Sequence, residues 1–292
     1  MPGPEFLDLP ARTVKPRGTG ITHVLDRGLP LEQCAGLLDT GGAFVDVWKF
    51  GRGISYVDPN LAAKLELLSR HRVLASPGGT LLEIAWAQGR AAAFLDWARA
   101  CGFPCVEVSA GTVPMSAGDK RDLIAEAARH FIVLAEVGPK DPAARLLPEQ
   151  WAAAVTDDLD AGATWVLAEG RASGTVGLYG PSGAVHTDIV DAMVAVADPG
   201  LIVFEAPRES QQAWFVRQQT PPREWNKTDR ASPEPEIRRC DHENRSAGSA
   251  RRRLLIESKA EAAAIARVDA NTTAMRGPDI CTGSKVSSRI TS

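Results

Sequence analysis

Glutamates close four short apolar runs in this chain: Glu107 in CVEV, Glu136 in VLAEV, Glu169 in WVLAE and Glu205 in IVFEA. Lys49 closes a fifth run, DVWKF, and Asp26 follows the first run of all. Any one strand-end carboxylate can cap a helix or pair with a lysine. Several at equivalent places repel one another unless a proton or a cation sits between them, and an oxygen-only cluster suits a hard divalent cation such as Mg²⁺. Cations share the same stretches: Lys140 follows Glu136 in EVGPKD, and Arg171 follows Glu169 in EGRASG. Carboxylates, a metal and several cations together suit a polyanionic substrate such as an enol phosphate. Glycines in GRG (51–53), PGGT (77–80) and ASG (172–174) let backbone approach an anion closely. The five histidines point to no chemistry: His23 alternates into the first run, and His71, His130, His186 and His242 read as satisfied or solvated.

These residues need a scaffold that delivers strand ends to one place. The apolar runs at 21–25, 44–50, 72–75, 105–108, 131–137, 165–168 and 201–204 alternate with helical spacing at 31–38, 59–69, 81–100, 119–130, 148–161, 187–197 and 209–217. Runs such as FIVLAEV are apolar almost throughout, as strands of a parallel sheet covered on both faces are. Seven strand–helix units without a glycine fingerprint after the first strand predict an α/β fold of the TIM-type (β/α) barrel class rather than a dinucleotide-binding sheet. In a barrel, the strand C-termini form the functional face.

The pattern stops near Arg217, so residues 1–218 read as the barrel and 219–292 as a divergent tail. The stretch 219–249 is dominated by Pro, Arg, Glu, Ser and Asn and predicts loose chain. Residues 251–268 form the one later helix candidate, and no eighth strand is legible. Residues 1–218 carry a net charge of −7 and 219–292 carry +4, which makes the body a poor nucleic-acid binder. Neither a secretory signal nor a membrane-spanning run is expected. Cys34, Cys101, Cys105, Cys240 and Cys281 form no metal-ligand spacing and predict reduced thiols in a cytoplasmic protein. Homo-oligomerisation is left open.

At these loops the sequence resembles the phosphosulfolactate synthase family, whose enzymes add sulfite to phosphoenolpyruvate. The matching segments are THVLDRGLP (22–30), VWKFGRG (47–53), PGGTLLE (77–83), GFPCVEVSAGT (102–112), LAEVGPKD (134–141), DLDAGATWVLAEGRASG (158–174) and IVFEAPRESQQAWFV (202–216). EGRxSG together with FEAPxxxQQ is a specific pairing. The resemblance implies a magnesium-dependent β/α barrel acting on phosphoenolpyruvate and sulfite. It assigns the metal to some of Glu107, Glu136, Glu169 and Glu205, the clamping of anionic groups to Lys49 and Arg171, and a proton to Lys140. A lysine beside other cations and a metal is expected to have a lowered pKa. The family's product serves coenzyme M synthesis in methanogens or sulfolactate metabolism in some bacteria.

The chain also departs from the family pattern. Gly53-Ile54-Ser55 stands where the family reads GTS, Pro139 where it has a lysine, and Ala172 where it has a glutamate, and nothing after Arg217 matches its eighth strand. Two readings therefore stand: an active synthase, or a catalytically impaired or non-enzymatic barrel of the same superfamily, either like its heat-stress-associated members or a truncated or frameshifted homologue. A third, an enolase-like or aldolase-like barrel, would turn over another phosphorylated acid without sulfite.

Overall fold

The computed structural model describes residues 14–18, 20–141, 143–219 and 255–258. Among these residues, eight strands run parallel in chain order: β1 (His23–Asp26), β2 (Val47–Phe50), β3 (Leu74–Ser76), β4 (Cys105–Val108), β5 (Ile132–Val137), β6 (Trp165–Ala168), β7 (Ile202–Ala206) and β8 (Leu255–Ser258). Ladders join β1 through β3 and β4 through β8, while β3 lies beside β4 and β8 beside β1, so the sheet closes on itself. The helices are α1 (Leu31–Gly41), α2 (Ile54–Val57), α3 (Leu61–Arg70), α4 (Gly79–Ala87), α5 (Ala91–Cys101), α6 (Ala117–Ala127), α7 (Pro148–Asp160), α8 (Thr187–Val196) and α9 (Glu209–Gln219). The TIM-type barrel read from the alternation of elements is the observed architecture.

The period-2 alternation of a strand explains how one residue type reaches the mouth. Val47, Cys105, Leu134, Trp165, Leu167 and Val203 pack with Ile21 inside the barrel. Two residues further along the same face come Lys49, Glu107, Glu136, Glu169 and Glu205. Residues on the opposite face, among them Trp48, Phe50, Val106, Val108, Val166 and Phe204, meet the helices in two further apolar clusters. Each fully buried side chain of this size contributes roughly 1.5–3 kcal/mol. The barrel is therefore plugged by hydrocarbon from below and charged at the top.

Three expectations are corrected. The segment 251–268, whose spacing suggested a helix, instead supplies β8 at Leu255–Ser258, pairing in parallel with Val203–Ala206 of β7. A short run with strand propensity was masked by the alanine-rich sequence after it, and the sheet edge left by seven strands is what it satisfies. The single helix expected over 81–100 is two, because Gly89 adopts φ +66°, and Gly89 and Arg90 return their N–H groups to the carbonyls of Trp86 and Ala85. Asp26 does not reach the mouth. It follows Leu25, whose side chain lines the cavity, and alternation turns it toward the helices. There it accepts N–H groups from Gly28 at 2.7 Å, Leu29 at 2.8 Å and the Trp48 indole at 3.2 Å, and faces Lys64 at 3.5 Å. The loose stretch expected over 219–249 and the remainder of 251–268 lie outside the described residues.

Candidate active site

The mouth of the barrel opens into a cavity of about 300 Å³ whose lining includes Lys49, Glu107, Glu136, Lys140, Glu169, Arg171 and Glu205. The seven side chains given site roles from the sequence thus meet in one space, while Asp26 stays outside it. Leu25, Arg52, Thr80 and Ser173 complete much of the wall.

Lys49 stands at the centre. Its Nζ lies 2.8 Å from Glu107, 3.6 Å from Glu136 and 3.6 Å from Glu205. Glu107 also accepts the N–H of Gly79, the first residue of α4, at 2.9 Å. Burial nevertheless outweighs the pull of Lys49 and raises the Glu107 pKa. Glu107 is thus set by Lys49 and the start of a helix, to one side of the other glutamates.

Glu136, Glu169 and Glu205 form a compact group, with one carboxylate oxygen from each lying within 4.8 Å of the others. Their protonation is unequal. Burial alone would raise Glu136, but Lys140 and Lys49 reverse this and hold it at about 2. Glu169 is pushed well above the usual carboxylate range by burial and by the charges of Glu205 and Glu136. Glu169 lies against both neighbours, so negative charge is least favourable on it. An oxygen-only set of carboxylates that raise one another's pKa fits a hard divalent cation, which would relieve their repulsion. Glu205 is further positioned by the Gly170 N–H at 2.9 Å, and Glu169 by the Arg171 N–H at 2.6 Å.

Lys140 reaches the mouth from the loop after β5. Burial lowers its pKa, but Glu136 and Glu83 raise it by more, and the net shift is upward. The expected lowering is corrected here because the nearest charges are carboxylates rather than cations: Glu136 lies at 2.8 Å and Glu83 at 3.1 Å. Lys140 is a fully protonated ammonium at neutral pH.

Arg171 belongs to the loop between β6 and α8 and adopts a left-handed backbone, φ 52°. That loop is fastened by α9. Buried Gln211 donates through Nε2 to the carbonyls of Gly174 at 2.9 Å and Gly183 at 3.0 Å, and its Oε1 accepts the Arg208 N–H at 3.1 Å. Arg208 Nε donates to the Ser173 carbonyl at 2.9 Å. The pairing of EGRxSG with FEAPxxxQQ is thus a physical contact, in which the second motif holds the first.

Two residues escaped the strand-end pattern. Glu83 sits on α4, and its only sequence signal is its place at the end of PGGTLLE. His23, fully buried on β1, lies near Lys49 and Glu205, and burial and Lys49 push its pKa down to about 3. It is a neutral imidazole beneath the charged layer.

A closed parallel barrel with an acid and lysine site at its C-terminal mouth defines an enzyme of the β/α-barrel class. The description (2R)-phospho-3-sulfolactate synthase (ComA) matches residues 10–222. The phosphosulfolactate synthase of Bacillus subtilis (strain 168) is 36% identical over 214 residues, covering 72% of this chain and 85% of the relative. Those of Methanothermobacter thermautotrophicus, 37% identical over 213 residues (71% and 83%), and Methanocaldococcus jannaschii, 36% over 203 residues (68% and 81%), are similar to the same degree. The chain belongs to the phosphosulfolactate synthase family.

Proposed function

We propose that this chain adds sulfite to phosphoenolpyruvate to give 2-phospho-3-sulfolactate. The observation that carries the reading is the convergence of Lys49, Lys140, Arg171 and the four glutamates on one cavity in a member of this family. The sulfite sulfur lone pair forms the C–S bond at C3. The C2–C3 π pair moves onto C2 and the carboxylate as an aci-carboxylate, and C2 then takes a proton from Lys140 Nζ. Glu136, Glu169 and Glu205 would hold Mg²⁺, which when bound supplies positive charge against the growing aci-carboxylate. Lys49 and Arg171 bind and orient the phosphate, carboxylate or sulfite charges. Lys49 can do so by exchanging part of its contact with Glu107 for the substrate anion.

The impaired-barrel reading drew part of its support from a missing eighth strand, which β8 beside β1 answers; its other support, the departures at Ile54, Pro139 and Ala172, is put to the assay. Free Cys34, Cys101 and Cys105 suit the reducing cytoplasm, and among the described residues no helix is long and apolar enough to cross a membrane. The test is incubation of the full chain with phosphoenolpyruvate, sulfite and Mg²⁺. Sulfite consumption with formation of 2-phospho-3-sulfolactate is the expected result. Phosphoenolpyruvate turnover without sulfite would point to a different reaction, and no turnover at all would restore the impaired barrel.

A further inference from the structure

We infer that Glu83 is the positioning residue for Lys140, holding its ammonium at the place from which it addresses the substrate. The inference rests on the reading of Lys140 as proton donor.

Lys140 has two carboxylate neighbours, and they differ in kind. Glu136 divides its charge: it lies 2.8 Å from Lys140, 3.6 Å from Lys49, and within the group that includes Glu169 and Glu205. It cannot fix one lysine while it answers to so many other charges. Glu83 pairs with Lys140 alone among the described residues, at 3.1 Å, and is fully buried.

Its carboxylate has no freedom to swing. It accepts the Ser109 hydroxyl and the N–H groups of Gly111 at 3.3 Å, Thr112 at 2.5 Å and Val113 at 3.2 Å. Lys140 also donates to Ser109 Oγ at 3.2 Å. One carboxylate thereby ties α4, the loop after β4 and the loop after β5 at a single point. Carboxylates with several backbone donors are both rigid and strongly anionic.

The stem of Lys140 is guided as well as its tip. A Cβ on Gly111 would fall 2.4 Å from Lys140 Cδ and 2.6 Å from its Cγ. The missing side chain at position 111 is the slot in which the lysine lies. Slot and anchor together set the direction of Nζ. A donor displaced by about 1 Å from its acceptor loses on the order of 10²-fold in rate.

The test is a double-mutant cycle on the full chain with Lys140→Met, Glu83→Gln and the pair. It reads kcat for sulfite addition, phosphoenolpyruvate affinity by calorimetry without Mg²⁺ or sulfite, and thermal unfolding. Lys140→Met should lower kcat by roughly 10²- to 10⁴-fold. Glu83→Gln should lower kcat by about 10- to 100-fold while the affinity for phosphoenolpyruvate shifts by less than about threefold. In the Lys140→Met background, Glu83→Gln should cost less than about threefold more, since it has no lysine left to place. Where Glu83→Gln fails to fold, Gly111→Ala carries the test: it blocks the slot, leaves the carboxylate intact and should show the same dependence on Lys140. Full repetition of the loss in the Lys140→Met background, or an unchanged kcat in both Glu83→Gln and Gly111→Ala, overturns the inference. A wild-type kcat in Lys140→Met overturns the proton-donor reading itself, and the inference with it.

Discussion

Glu107 accepts the N–H of Gly79 at 2.9 Å while it holds Lys49 at 2.8 Å, so the beginning of α4 and the central cation of the site share one carboxylate. Removing one partner of a buried pair leaves the other exposed to an uncompensated environment. Glu107→Gln should therefore lower the unfolding midpoint by several degrees and reduce kcat/KM for phosphoenolpyruvate by about 10- to 100-fold. Steady-state kinetics and calorimetry check this, and a fully active, equally stable variant would place Lys49 under the control of Glu136 and Glu205 instead.

Mg²⁺ binding should expel a proton. Glu169 lies well above the usual carboxylate range through burial and its two acidic neighbours, so it is protonated where an ordinary glutamate is not. A cation among Glu136, Glu169 and Glu205 has to displace that proton. Titration calorimetry in buffers of different ionisation enthalpy should show proton release on binding that diminishes as pH rises, and affinity should rise with pH. Glu169→Gln should abolish the release. Heats that do not depend on the buffer would show that the ion sits elsewhere.

Acid should destabilise the fold partly through His23. In the folded chain its pKa is about 3 against an ordinary 6.5, so between those values the unfolded chain binds the proton that the folded chain refuses. Stability from this source is complete above about pH 6.5 and falls as pH falls, at up to ~1.4 kcal/mol per pH unit. Glu169, with a raised pKa, works in the opposite direction above the ordinary glutamate range, so the difference between His23→Gln and the wild type isolates the histidine. Denaturant unfolding from pH 7 to 5 should show the variant gaining on the wild type at each step. Parallel curves would mean that His23 has found compensation for its burial.

Gln211 should act on substrate through Arg171 without touching it. Gln211→Ala removes two donors from the Gly174 and Gly183 carbonyls and one acceptor from Arg208. The loop between β6 and α8 should then admit protease within residues 171–183, and KM for phosphoenolpyruvate should rise by about tenfold with a smaller change in kcat. Equal cleavage rates in variant and wild type would show that the loop holds its shape by other contacts.

The mouth of the barrel was legible because strand alternation is strict: once Val203 faces inward, Glu205 must, and the same holds for Cys105 with Glu107 and Leu134 with Glu136. The same rule, applied one residue off, misplaced Asp26, since nothing local in HVLD says which of Leu25 and Asp26 turns inward. Glu83 was invisible as a site residue because a carboxylate one turn into a helix looks like any surface glutamate until the backbone of residues 111–113 folds over it. The upward shift of Lys140 comes first from Glu136, which the strand pattern showed, and then from that same hidden carboxylate. β8 was obscured because LLIES is short and is followed by a run of good helix formers. Its strand state comes from the β7 edge beside it, which is a tertiary demand.

The hydrocarbon plug formed by Ile21, Val47, Cys105, Leu134, Trp165, Leu167 and Val203 turns the catalytic chamber into a cul-de-sac. Under the proposed reaction, phosphoenolpyruvate, sulfite and the finished sulfonate would cross the same rim, past Arg52 and Arg171. A lingering product, with its phosphate, carboxylate and sulfonate, would then obstruct the next phosphoenolpyruvate, and cations that draw substrates in would also slow its departure.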